Sequence, residues 1–178
     1  MRSLLILLAL VPLARAPTAG PRVAARDLHA DVHETIAHVT LTDPGLQTFF
    51  DHSAGYAVFP GITKGAIGVG AAHGDGEVIE HGVAVGTCSM TQVNIGLQLG
   101  GQQYSEIIFF ETRDALESFK AGHFTFDAQA SAVAIASGAS ANAKYRSAVV
   151  VFTQAKGGLM YEASIGGQKF GYKPIGAT

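Results

Sequence analysis

Cysteine occurs once in the 178 residues, as Cys88, so no internal disulfide can form and apolar packing has to hold the fold together. A lone thiol of this kind reads as a small buried apolar group. The N-terminal apolar run, residues 4–13, is broken by Pro12 and Arg15, short of the roughly 20 residues that cross a bilayer. Tryptophan is absent and no contiguous polybasic run occurs. A Gly-x-Ser-x-Gly elbow is also missing, Cys88 has no recognisable base partner, and the acidic residues are scattered, so nothing supports nucleophilic catalysis. His29 and His33 stand four apart with Glu34 beside them, but His38, His52, His73, His81 and His123 show no ligand spacing. Two ligands do not make a zinc site. The expectation is no catalytic residue, no metal and no cofactor.

What the chain has instead is glycine, 22 residues against 6 prolines. The stretch PGITKGAIGVGAAHGDGEVIEHG, residues 60–82, raises the question of a phosphate loop. Lys64 is followed by Gly65 rather than Ser or Thr, and no helix pattern opens there, so the backbone amides of a P-loop are not provided. Gly65, Gly68 and Gly70 also miss the dinucleotide spacing.

The first residues, MRSLLILLALVPLARA, combine Arg2, an apolar core and small residues, the pattern of a secretory signal peptide. Cleavage is expected between Ala16 and Ala25, leaving one domain, 26–178. A cut after Ala25 removes Arg2, Arg15 and Arg22, leaving 9 basic against 14 acidic residues, a net charge of −5. The imbalance is uneven: residues 26–118 hold 3 basic and 12 acidic side chains, and 119–178 hold 6 and 2. Folding that preserves this asymmetry makes one surface region cationic.

Residues 17–25 are rich in Pro, Ala and Gly and read as unstructured. Leu28, Val32, Ile36 and Val39 recur at helical spacing until Asp43-Pro44-Gly45, and a shorter helical piece fits 46–52. Residues 56–59, 67–73 and 78–85 read as short strands with Gly74-Asp75-Gly76 as a tight turn. Val93, Ile95, Leu97 and Leu99 alternate with Asn94, Gly96, Gln98 and Gly100 as a half-buried strand, and 106–111 is a buried one. Thr112 can cap a helix over 113–120 that buries Leu116 and Phe119 and stops at Gly122. Residues 127–143 read as a closely packed strand, the alternative being a helix lying on a membrane. Residues 148–154 and 159–167 read as a final hairpin with Leu159, Tyr161, Ala163 and Ile165 on one face. Glycine inside strands weakens them unless a bend or a close backbone needs the space, so its repetition implies strong sheet curvature.

The pieces GYAVFPGITKGAIGVGAAHGDGEV, NIGLQLGGQQYSEIIFFETRDALESFK, DAQASAVAIASG and KGGLMYEASIGGQKF, in that order, resemble the SYLF family of lipid-binding domains over about residues 30–171. The resemblance implies a non-enzymatic phospholipid-binding domain; eukaryotic members bind phosphoinositides and some bundle actin, while bacterial members are exported envelope proteins, often lipoproteins. This chain looks like the exported type, without the lipoprotein cysteine. The expectation is therefore a periplasmic or secreted protein, neither lipoprotein nor transmembrane. Its fold is expected to be one α+β domain: an N-terminal helix, a curved glycine-rich antiparallel sheet with scope for barrel-like closure, and one later helix. Its partner is expected to be anionic phospholipid met by Lys64, Lys144, Arg146, Lys156, Lys169 and Lys173, with no nucleic acid. The alternative is an envelope module that binds protein.

Overall fold

The computed structural model describes residues 21–126, 130, 132–157 and 165–176, and the side chains of these except 21–27, 66–70, 94–101 and 157. Helix α1 spans Pro21–Thr42 and α2 spans Leu46–His52. Two long strands follow, β1 at Gly55–Glu80 and β2 at Val83–Phe110, then helix α3 at Arg113–Lys120. The two-residue strand β3, Val133–Ala134, and a short 3-10 helix, Ala139–Asn142, lead to β4 at Val149–Gly157 and β5 at Gln168–Pro174.

The α1 expectation holds for its apolar stripe: Val32 and Val39 are fully buried, with Leu28 and Ile36 packed beside them. It fails at the N-terminal boundary, because 21–25, read as unstructured, are helical; the flanking helix supplies a nucleus that overrides weak local preference. Asp43 ends the helix, its carboxylate accepting from Gly45 N at 3.2 Å. Helix α3 forms as its caps dictate. Thr112 Oγ1 accepts from Ala115 N at 3.3 Å, and Gly122 at φ +72° closes the far end.

The region read as three short strands is one 26-residue strand. Gly74-Asp75-Gly76 is not a turn: these residues pair with Met90, Ser89 and Cys88 in mid-ladder. The reversal falls at His81-Gly82, with φ of 50° and 78°, the positive pair that a two-residue type I′ turn requires. Register shifts at Phe59/Ile62, Ile67/Val69 and Val78/Ile79 bend the hairpin, as bulges do.

The hairpin doubles back on itself. A Cβ at Gly76 would stand 2.3 Å from the Val58 carbonyl oxygen, and one at Gly74 would stand 2.7 Å from Ile62 Cγ1. The tip half of β1 therefore lies against its own base half, at a distance that only glycine allows. The glycine-rich stretch builds sheet contact, not a phosphate loop.

Strand β2 is the axis. Along one edge it pairs with β1; β4 pairs with its Gln103–Phe110 half and β5 with its Gly86–Gln92 half. The sheet is mixed rather than wholly antiparallel, because β3 runs parallel to β4. Barrel-like closure is not realised: among the described residues β1 hydrogen-bonds only to β2. Of 127–143, read as one strand, only Val133–Ala134 is extended in a ladder, and 127–129 and 131 lie outside the described residues. Of the expected final hairpin, the first strand forms as β4, while Leu159, Tyr161 and Ala163 of the second lie outside the described residues; β5, which follows it in the chain, pairs with β2.

Two cores result. Phe59, Ile62, Met90, Ile108, Phe110, Leu116, Phe119 and Phe170 fill the space between the hairpin halves and α3. Val32, Val39, Leu46, Val58, Ile107, Phe109 and Phe152 pack α1 and α2 onto the opposite face. Each large side chain fully buried contributes about 1.5–3 kcal/mol, which is ample for a fold without crosslinks. Cys88 is one such buried group, and burial pushes its thiol well above the ordinary range. Val93, placed on the buried face of its strand, is 65% exposed instead.

Candidate functional site

The six basic residues expected to meet phosphate fall in four places. Lys169 and Lys173 lie on β5, opposite Thr91 and Thr87 of β2. Both are exposed, while Gln168 and Phe170 on either side of Lys169 are buried, so period-2 alternation puts the two ammonium groups on one face. Beyond them Ile175 N donates to Val85 O at 3.0 Å, holding Ile175 at the turn end of the hairpin. There Ile175 is 59% exposed and Val83 64%. Lys173 thus shares this end of the sheet with the two aliphatic side chains, and Lys169 lies four residues farther from it on the same face.

Lys144 and Arg146 are exposed in the segment entering β4, where Arg146 N and O both bond to Val149. Lys156 is exposed near the other end of β4, about 23 Å from Val149 at the usual strand rise. Lys64 sits on β1 opposite Gln102, half-buried, and burial lowers its ammonium from the ordinary range. Lys169 and Lys173 share one face of β5, about 13 Å apart at the usual strand rise, and Lys144 and Arg146 share the segment before β4; Lys64 and Lys156 lie on other strands or strand ends.

Other cations are already committed. Lys120 pairs with Glu80 and, at 3.1 Å, with Glu117, while Arg113 lies 3.8 Å from Glu80 and 3.6 Å from Glu117. Burial opposes the Lys120 charge, but its hydrogen bonds to Glu80 and Glu117 outweigh this and raise its pKa. Among the described residues Lys144, Arg146, Lys156, Lys169 and Lys173 make no such ion pair.

His29, weighed above as half of a metal pair, points elsewhere: its Nδ1 is 2.8 Å from Glu77 Oε2, linking α1 to the tip half of β1. No group of three or more His, Cys, Asp and Glu converges on a metal position among the described residues.

One feature escaped the sequence reading. A groove of about 760 Å³ runs between α1 and the sheet, lined by Asp31, Glu34, Thr35 and His38 on the helix and by Pro60, Gly61, Asp75 and Lys156 on the strands. The signal was in the helix, where Leu28, Asp31, Thr35 and His38 follow one another at intervals of three and four, so one stripe is polar beside the apolar one. Cys88 lies in the inner core rather than in this groove.

Doubling back of a long hairpin, with an N-terminal helix packed on it, defines an α+β domain. Residues 91–172 match the family model described as Ysc84, Las17-binding protein actin regulator. That match, over 82 of the 178 residues, is consistent with the SYLF-family resemblance of the chain's motifs. No curated protein matches the chain significantly.

Proposed function

We propose that this chain is a non-catalytic, exported envelope domain that binds anionic phospholipid head groups. The observation that carries the reading is β5, whose exposed Lys169 and Lys173 make no ion pair among the described residues and lead to exposed Ile175 at the turn end of the hairpin. Cations attract an anionic leaflet at about 1 kcal/mol each, and adjacent aliphatic groups gain by entering the interface. Similarity to a family with lipid-binding members supports it, as does the leader-like N-terminus. Lys144 and Arg146 form a second basic pair suited to the same surface.

Flotation of the mature protein with phosphatidylglycerol and with phosphatidylcholine vesicles tests the reading. Co-flotation with the anionic vesicles alone is the expected result; protein left in solution with both removes the lipid reading. The second reading, a protein-binding envelope module, draws on the family description, which names a protein partner, Las17. It gains if vesicles are ignored. Export is tested by fractionation and N-terminal sequencing, with a terminus between positions 17 and 26 expected outside the cytoplasm.

A further inference from the structure

We infer that the pocket between α2 and the His81-Gly82 turn binds an alkylguanidinium group, the cation of an arginine side chain. The pocket encloses about 390 Å³, a volume in the range of small-ligand sites. Its apolar wall is Ile36 from α1, Phe50 from α2 and Tyr56 from β1, and its polar groups include Gln47 and Asp51 of α2 and His81 of the turn. The Phe50 and Tyr56 rings meet edge to face with centroids 5.0 Å apart, which makes them one aromatic corner.

Tyr56 is the observation that points to a ligand. Its residue is only 8% exposed, it lines the pocket, and its hydroxyl makes no hydrogen bond among the described residues. That hydroxyl is not sealed in the protein as the unpaired Thr35 and Ser53 hydroxyls are, so a polar atom on a side chain nine-tenths buried stays accessible to a partner. Burial and, after it, the charge of Asp51 push the Tyr56 pKa up, so the group is a neutral hydroxyl within electrostatic reach of that carboxylate. Asp51 Oδ1 accepts from Gln47 Nε2 at 2.8 Å, while Oδ2 has no partner and the carboxylate no cation among the described residues. Two acceptors on different residues, Asp51 Oδ2 and the Tyr56 oxygen, suit a donor that forks. A guanidinium carries five N–H donors in one plane and stacks on aromatic rings, whereas an ammonium is a compact, strongly hydrated point charge. The alkyl stem would lie against Ile36 and Phe50, as long cationic side chains do on apolar surface. No Lys or Arg stands among the lining residues, so an anion would meet no fixed positive charge.

None of the basic residues of the head-group reading takes part, so either reading stands without the other. Nuclear magnetic resonance titration of the isotope-labelled full chain provides the test. Butylguanidine stands for a free small cation, and a capped Ala-Arg-Ala tripeptide for an arginine carried by a protein; the tighter of the two identifies the source. Butylurea and the same tripeptide with citrulline keep the shape and lack the charge. Saturable shifts at Phe50, Asp51, Tyr56 and His81 are expected with the guanidinium probes, with affinity about tenfold or more lower for the neutral ones. Asp51→Asn should weaken binding about tenfold or more, and Tyr56→Phe about three- to tenfold. Because the Tyr56 hydroxyl bonds nothing in the protein, thermal unfolding of Tyr56→Phe should match the parent's, and a folding defect would not account for its loss of affinity. Asp114→Asn, which removes an exposed carboxylate of α3, should bind like the parent. The proposal is overturned if neither guanidinium probe shifts these residues, if the neutral probes or butylamine bind as tightly, or if Asp51→Asn and Tyr56→Phe bind like the parent.

Discussion

The Gln168 side-chain amide donates a 2.9 Å hydrogen bond to Glu106 Oε2 inside the inner core, joining β5 to the base half of β2. Both residues are fully buried, and Oε1 of each has no partner. Burial pushes the Glu106 carboxyl up to about 7, against a smaller opposing effect of the Gln168 bond. The native state therefore holds this proton more tightly than the unfolded chain, whose carboxyl stays near 4.5. Stability from this group is intact below about 4.5 and falls as pH rises through about 7. Thermal unfolding should therefore occur at a lower temperature at pH 8 than at pH 5. Glu106→Gln should flatten that slope and raise stability at pH 8 by up to roughly 3 kcal/mol. Parallel pH profiles for parent and variant would refute the assignment.

Asp43 titrates with the opposite sign. Its carboxylate accepts from Ser140 N at 2.7 Å and Ser140 Oγ at 2.9 Å, tying the end of α1 to the 3-10 helix. Burial alone would raise its pKa, but these bonds and that from Gly45 outweigh it and lower the value below 3.8. This stabilisation is present above about 3.8 and is lost as pH falls through the lower folded value. Asp43→Ala should cost about 1.5–3 kcal/mol at neutral pH. Denaturant unfolding measures it; a loss that persists unchanged at strongly acid pH would show that the carboxylate is not its source.

Close packing of the hairpin on itself predicts unequal glycines. Gly76→Ala places a methyl against the Val58 carbonyl, where the backbone cannot yield cheaply, and should destabilise by about 3 kcal/mol. Gly65→Ala meets nothing within 4 Å and should be near neutral. Comparable midpoints for the two variants in urea would mean that the halves of β1 do not touch as described.

Elements whose signal is local were legible in the sequence. Thr112, Gly122 and the Leu116/Phe119 pair specify α3 within one turn of their own positions, and the α1 stripe does the same. Glycine content was read as curvature, and Gly74 and Gly76 bear this out. Their partners were not legible, because Val58 and Ile62 lie at least 12 residues away and nothing nearby encodes that meeting. Turn chemistry misled for a related reason: Gly74-Asp75-Gly76 has turn composition, yet its glycines answer a packing need, while His81-Gly82 looked unremarkable. The carboxylates of the groove were hidden likewise, since Asp31 and Asp75 become neighbours only when α1 crosses the bent strand.

The two basic pairs separate the electrostatic mechanism from general charge. Lys169 and Lys173 lie on β5 in the run that leads to exposed Ile175, whereas Lys144 and Arg146 stand where β4 begins, beside buried Val149. Lys169→Glu with Lys173→Glu should lower affinity for phosphatidylglycerol vesicles by about tenfold or more, because each lost contact is worth about 1 kcal/mol and each new carboxylate is repelled. Lys144→Glu with Arg146→Glu should also weaken binding, by less if that pair lies farther from the apolar contact. All four side chains are exposed, so circular dichroism and melting temperature should not change. Raising salt from 0.1 M to 1 M shortens the Debye length from roughly 10 Å to about 3 Å and should reduce the parent's affinity toward that of the charge-reversed variants. Ile175→Ser should act differently, lowering affinity to a similar extent at both salt concentrations, because apolar insertion is not screened. Affinity that ignores salt and both reversals yet falls with Ile175→Ser would assign binding to insertion alone.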